Sequence, residues 1–386
     1  METKGKKIFL YMNFFKDDDS IGITKKIKAQ IKTLRCMGME VTYTSYTESG
    51  VVIIDNGENV VYSKEYKINH PVYKRFKRRF LLIDAVNEYL TNEKPEYDLA
   101  YLRWHTYDKI FLRMLDNLKK CGAKNIVEAH AWTPDRKGKT LIAKYQIYMD
   151  NKHSKKAKSY VDLVAAMCEY DNIWGIKTVK VDNAVDLDSI SERKHIKSEH
   201  ELRIISVSNE YPYHGYDRLL KGLKNYYDNG GKVDIKVHFI GVFMEATKKL
   251  AIDLGLDNRV YFHGKMYGAA LDEMYDNSDL GIGALAHHRV GMYSGSSLKT
   301  KEYFAKGLPF IYGWKEPAFD ETYPYALQIK LCEEPIDIDE IISFYNGIKD
   351  DENMIHNMRE FAKDNYSWEK EFKKVFDQIE DKVERY

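Results

Sequence analysis

Short apolar runs alternate along the chain with longer stretches in which apolar residues recur every three to four positions. The short runs predict strands at 7–13, 40–46, 99–102, 125–129, 160–166 and 177–181. The periodic stretches predict helices at 23–37, 76–90 and 110–121, with Gly38 and Gly122 as stop signals. Between 189 and 201 (SISERKHIKSEHE) large apolar residues almost vanish. The alternation then restarts, with strands at 202–207, 233–240, 260–263, 280–284 and 310–312. Helices are predicted between them at 216–228, 244–254, 271–277 and 298–305, and a charged amphipathic helix at 368–383. Such alternation calls for parallel sheets covered by helices on both faces. The chain reads as α/β in two domains, 1–188 and 202–365, with a linker at 189–201 and a terminal helical segment at 366–386.

Length agrees with two domains, because 386 residues exceed the roughly 250–300 that one core organises. The 60 basic residues against 59 acidic ones leave a net charge of +1, which argues against a dedicated nucleic-acid binder. Cys36, Cys121, Cys168 and Cys332 are scattered without a CxxC pair, so neither a disulfide framework nor a zinc site is expected. No apolar stretch approaches a membrane span, and the first apolar run reads as a strand. A cytoplasmic location is expected. HExxH, GxSxG, Walker A and complete GxGxxG patterns are absent, which lowers the corresponding enzyme classes.

In open α/β sheets, ligands sit at the carboxyl ends of the strands. The sharpest segment in such a place is 291–313, GMYSGSSLKTKEYFAKGLPFIYG. Ser294, Gly295, Ser296 and Ser297 form a small-residue loop that opens at Leu298 into a helix. Free N–H groups and the helix dipole make such a start an anion site, and Lys299 adds charge. Glu302, one turn further, would suit a ribose diol. The plainer reading is a capped helix with a surface Glu. Arg289, in GALAHHRVG, is a second cation before this loop, beside His287 and His288. In the first half, Glu128, His130 and Asp135 follow a strand in IVEAHAWTPDRKG, and Gly22 lies in the first strand–helix connection. The stretch from Tyr73 to Phe80 (YKRFKRRF) interleaves basic and aromatic residues, a composition that suits an anionic membrane surface or a solvated basic face. The 30 tyrosines include Tyr211, Tyr213, Tyr216, Tyr293 and Tyr303 in or near these loops, where a flat face and a hydroxyl suit sugar recognition.

SLKTKEYFAKGLPFI resembles the donor-binding helix of GT-B glycosyltransferases, written loosely as E-x7-E followed by A-x-G-x-P. VDNAVDLDSI, ISVSNEYPYHGYDRLLKGL and the YDNSDLGIG strand resemble further family segments in the right order. The resemblance is to the retaining, family 4-like group and covers nearly the whole chain. It implies two facing Rossmann-like domains with the last helix crossing back to the first. It also implies transfer of a sugar from a nucleoside diphosphate donor to a hydroxyl acceptor, a glycan or a lipid-linked one, in surface polysaccharide synthesis. No metal or other cofactor is expected. Glu302 matches the ribose ligand, and Ser297 and Leu298 match the backbone phosphate ligands. The loop at Asn209, His214 and Gly215 matches the family's diphosphate loop, with Asn209 and His214 where the family has Arg and Lys. Ser294 replaces the first Glu of the motif. His130 matches a histidine that touches the donor sugar; with Arg289 and Lys299 it completes the candidate catalytic set, while Gly22, Glu128 and Asp135 are assigned to the acceptor side. A peripheral contact through 73–80 with the inner membrane face would suit a lipid-linked acceptor. The departures keep a second expectation alive: a degenerate subunit that binds without catalysis.

Overall fold

The computed structural model describes residues 2–18, 22–66, 71–130, 132, 141–167, 170–316 and 319–380, with the side chains of 71–76 and 142 outside the description. It divides into two compact units, Met1–Asp182 with Trp368–Tyr386, and Asn183–Ser367.

The first unit contains β1 (Lys7–Tyr11), α1 (Gly22–Cys36), β2 (Glu40–Tyr46), β3 (Gly50–Ile54), β4 (Val60–Glu65), α2 (Pro71–Asn92), β5 (Leu99–Arg103) and α3 (Lys109–Lys120). It continues with β6 (Lys124–Ala129), α4 (Leu141–Ala157), β7 (Leu163–Ala166), β8 (Asn172–Ile173) and β9 (Ile176–Lys180). The described strands form one sheet in the order β4-β3-β2-β1-β5-β6-β7-β9-β8. Strands β2 to β9 within that order are parallel, which is why β1, β5, β6 and β7 are apolar on both faces. The antiparallel pairs among the described strands, β2–β3, β3–β4 and β8–β9, lie toward the two ends of the sheet.

The second unit contains β10 (Glu201–Val207), α5 (Tyr216–Asp228), β11 (Asp234–Ile240), α6 (Glu245–Asp253), β12 (Val260–Phe262), α7 (Gly268–Asp276), β13 (Leu280–Ile282), α8 (Leu298–Lys306) and β14 (Phe310–Tyr312). β15 (Ala326–Gln328), α9 (Ile338–Ile348) and α10 (Met354–Asn365) complete it. The described strands lie in the order β12-β11-β10-β13-β14-β15, and all pairs are parallel. Counted within the unit this is 3-2-1-4-5-6, the doubly wound order, with its switch point between β10 and β13.

The last helix, α11 (Trp368–Glu380), belongs to the first unit. Trp368, Phe372, Val375, Phe376 and Ile379 fall at helical spacing and are buried there. Phe372 packs edge-on to Tyr101, and Glu371 accepts the Asp182 N–H. The polar segment 189–201 lies in the second unit and is pinned to it. Buried Arg193 donates to the Ser278 and Gly307 carbonyls, and His195 bonds Asp279. A guanidinium can bury itself by satisfying carbonyl groups, so low apolar content does not by itself mean a free tether.

Candidate active site

Helix α8 starts at the carboxyl side of β13, and its start is tied down from behind. Glu316 is almost fully buried; its Oε1 accepts the Ser297 N–H at 3.1 Å, and the Thr300 hydroxyl lies 3.0 Å from Oε2. Lys301 Nζ balances that carboxylate at 2.5 Å, both side chains being fully enclosed. Ser296 accepts from the Asn183 N–H and, through its carbonyl, from the Asn183 amide. Gly295 donates to the Lys315 carbonyl and lies on the Trp314 indole so closely that a Cβ would come within 2.6 Å of the ring. Ser294 bridges to Lys315 and is exposed. The expectation that Ser297 offers its N–H to a phosphate is therefore corrected: a carboxylate already holds it. The N–H groups of Leu298 and Lys299, inside the first turn, have no partner within the helix by geometry.

Lys299 reaches from this turn to the end of β10. Its Nζ lies 3.4 Å from Ser206 Oγ and 3.3 Å from Tyr216 OH, and that phenol also bonds Ser208. All its hydrogen bonds among the described residues go to hydroxyls. Burial pulls its pKa down to about 7, and the half-buried Glu302 nearby opposes the fall. Gly215, with φ +66, follows Pro212–His214, a short turn after β10. A Cβ there would meet Ala286 Cβ at 2.8 Å, so the loops after β10 and β13 close on each other across the switch point. Backbone bonds from Leu285 and Ala286 to His214 and Tyr213 lock them. His214 is buried, its Nδ1 accepts the Tyr211 N–H, and burial lowers its pKa to about 2. The imidazole at 214 is therefore neutral where the resembled family has a charged Lys.

A ring stack backs this site. Tyr211 stacks on Tyr213 (5.4 Å), Tyr213 on His287 (4.9 Å) and His287 on Trp314 (3.7 Å). His287 is neutral as well, burial taking its pKa to about 4. Tyr216 and Tyr303 are core residues, the latter donating to the Ile282 carbonyl, whereas Tyr211 and Tyr293 are exposed. Arg289 does not rebuild a positive pocket. Its guanidinium is matched by Asp217 at 2.8 and 3.0 Å and by Glu333 at 2.6 Å, so it clamps the loop instead. Asn209 is exposed, and its amide oxygen accepts the Val242 N–H.

In the first unit, Glu128 is buried rather than presented to a ligand. Its Oε1 receives Lys26 (2.9 Å) and Arg103 (3.0 Å), and its Oε2 receives Tyr101 (2.9 Å) and Gln30 (3.3 Å). Burial alone would raise its pKa, but the two cations hold it well below the carboxylate range. Lys26 in turn falls to about 8 through burial. His130 stands one residue past β6, half-buried, with Nδ1 enclosed and without a partner among the described residues. Burial and then Arg103 take its pKa to about 3. Gly22 opens α1 in open space, where no neighbour demands a glycine. Asp135 lies outside the described residues. In the 73–80 stretch, Arg79 turns inward, bonding Asp108 at 2.5 Å and the Thr106 carbonyl at 2.8 Å. That removes one of the charges counted toward a membrane.

No protein-family model matches the chain, and no curated protein matches it in sequence. Solved structures do. A glycosyltransferase from Rickettsia africae ESF-5 matches with a TM-score of 0.67 at 12% identity, over 99% of this chain and 100% of that one. The catalytic domain of starch synthase IV from Arabidopsis thaliana, bound to ADP and acarbose, matches at 0.66 and 11% identity, over 99% and 100%. Anabaena HepE in complex with UDP-glucose matches at 0.57 and 14% identity, over 98% and 100%. The fold is GT-B.

Within the GT-B fold the donor-side candidates Gly295, Ser296, Ser297, Leu298, Lys299 and Glu302 share one loop and helix, and His214 and Gly215 sit across the switch point from them. Sequence reasoning missed Ser206, Ser208 and Glu316, and it named Tyr216 for sugar recognition rather than as a partner of Lys299. Lys301 and Glu316 each stand beside other charged residues, so the sequence carries no mark of their buried pairing.

Proposed function

We propose that the protein transfers a sugar from a nucleoside diphosphate donor to a hydroxyl acceptor. The observation that carries this is Lys299: an amine beside a helix start at the switch point, whose hydrogen bonds among the described residues go to hydroxyls. Glu302 offsets that charge only in part, since burial still lowers the amine's pKa, and an incompletely matched cation away from water is costly. An anion of the diphosphate type would complete the match and meet the helix dipole at the same place. Glu302 would accept from the ribose hydroxyls. Solved relatives of the fold carry UDP-glucose and ADP in their names, which supports this donor class.

In this reading the acceptor oxygen bonds to the anomeric carbon while that carbon's bond to the diphosphate breaks. The electron pair leaves on the diphosphate oxygen. The acceptor proton follows to that oxygen, and the new bond forms on the face the leaving group vacates, with retention. Lys299 and the α8 start counter the charge that develops on the departing group. A role in surface glycan synthesis inside the cell belongs to the same reading, with a glycan or lipid-linked acceptor at the first unit. The second reading, binding without turnover, is favoured by the neutral His214 and by Glu316 occupying the Ser297 N–H.

Thermal unfolding with UDP, ADP, GDP and their glucose esters tests the donor site. A ligand at a hundredfold excess over its Kd adds about 2.7 kcal/mol of apparent stability, a shift of several degrees. Lys299→Met should shrink the shift at neutral pH. If no nucleotide shifts the wild type, the donor reading fails.

A further inference from the structure

We propose that Trp132, Tyr170 and Trp174 of the first unit, backed by the buried Trp104, form a stacking site for a neutral pyranose ring. This rests on the sugar-transfer reading above and assigns the ring to the acceptor.

Three of the five tryptophans meet here from distant parts of the sequence. Trp104 directly follows β5, Trp132 stands two residues beyond His130, and Trp174 sits in the turn between β8 and β9. Ring centroids are 5.0 Å apart for Trp104 and Trp174, 6.3 Å for Trp132 and Trp174, and 5.1 Å for Trp132 and Tyr170. The turn itself shows that Trp174 is there for its ring. Its φ is +55, and Gly175 beside it has φ +77. A bulky residue in that region costs about 1–2 kcal/mol, and glycine or asparagine would make the turn without strain. The indole is gripped edge-on by buried Tyr107 at 4.8 Å.

Exposure rises outward through the cluster. Trp104 is buried, Trp132 and Trp174 are half-buried, and Tyr170 is 43% exposed. Aromatic surface left open in this way suits the C–H face of a sugar, while the ring hydroxyls need polar partners at the edge. His130 lies behind the cluster, 6.4 Å from Trp104 by ring centroids, with its Nδ1 enclosed. Local charge selects the guest. The other usual occupant of an aromatic cage is an organic cation. Next to His130, Lys26 and Arg103 outweigh the single carboxylate of Glu128, so a cation is disfavoured and a neutral polyol is admitted.

The test uses the full chain, without donor. Saturation-transfer NMR and tryptophan fluorescence are read with the methyl glycosides of glucose, galactose, mannose and N-acetylglucosamine, with choline and UMP as controls. At least one glycoside should bind the wild type. Trp174→Gly and Tyr170→Ala should each weaken it ~10-fold or more, as lost stacking and hydrogen-bonding energy of 1.4 kcal/mol or above implies. Trp174→Gly relaxes the turn but removes packing on the core, so its fold is checked by urea unfolding, and Tyr170→Ala, which changes an exposed side chain, carries the test if Trp174→Gly unfolds. Equal sugar binding in both variants overturns the proposal, as does choline binding that depends on Trp174. UDP-induced thermal shifts on the same samples separate the two readings. UDP binding with no glycoside binding sinks the stacking site alone, and glycoside binding without UDP binding sinks the donor reading alone.

Discussion

Lys299 and Glu302 stand one turn apart on α8, and their chemistry differs because only the lysine is tied to hydroxyls at the end of β10. With its pKa near 7, the amine is about half protonated at neutral pH. A bound diphosphate favours the charged form and raises that pKa, so binding takes up a proton wherever the free amine is neutral. The sign follows: affinity is full below pH 7 and declines as pH rises above it. Calorimetry of UDP binding between pH 6 and 9 should show log Kd climbing toward one unit per pH unit, and Lys299→Met should flatten the slope. For Glu302→Ala, loss of hydrogen bonds to a charged acceptor is expected to weaken UDP by ~10–100-fold. A free nucleobase without ribose should bind both proteins alike. These two residues were legible in the sequence because both lie within one helix. Ser206 and Ser208 were not, because they lie at the end of another strand, where Ser206 meets Lys299 directly and Ser208 through Tyr216, and one sequence carries no record of that register.

At the scale of the element, α8 depends on the buried pair Lys301–Glu316. Breaking a buried pair from one side leaves an unmatched charge and costs about 3–5 kcal/mol. Lys301→Met should therefore destabilise the second unit by that amount in urea unfolding. The double variant Lys301→Met with Glu316→Leu should recover most of it. Gly215→Ala meets a left-handed backbone and the Ala286 Cβ together, and a loss of about 1–3 kcal/mol is expected. Strong periodicity made β2, α5 and β14 readable to the residue. The β3–β4 hairpin was passed over although Asp55-Asn56-Gly57 between two β-branched runs is a turn signal, and Asp55 indeed accepts the Gly57 and Asn59 N–H groups. Helices α9 and α10 escaped because their buried positions are few, Ile338, Ile341 and Ile348 on one and Met354, Met358 and Ala362 on the other. Glu128 misled for a related reason: a carboxylate near the carboxyl end of a strand looks like a ligand-facing group until its four partners are counted.

Across the whole molecule, neutral buried imidazoles set the acid limit. Burial lowers His130 to about 3, His214 to about 2, and His238 and His287 to about 4, from an unperturbed 6.5. Unfolded, each would take up a proton below 6.5, so the unfolded chain binds more protons and stability falls as pH drops from 6.5 toward 4. Most carboxylates titrate lower, which makes this window specific to histidine. Urea midpoints at pH 7.5 and 5 should differ accordingly, and His287→Gln should reduce the difference. The two doubly wound units were foreseen from the alternation of short and periodic runs. The division of the chain at Asp182 and Ser367 came from packing that composition hides, with Arg193 and His195 buried inside a polar stretch.

Sugar transfer itself is tested most directly by mixing the wild type and Glu302→Ala with a panel of nucleoside diphosphate sugars and following the anomeric protons and the free diphosphate by NMR. Slow release of nucleoside diphosphate from one donor, with the sugar set free or transferred in its original anomeric configuration, and loss of that release in Glu302→Ala, is the expected result. Tight donor binding with no release from any donor, with or without added glycosides, would contradict it and leave a binding protein on a GT-B fold.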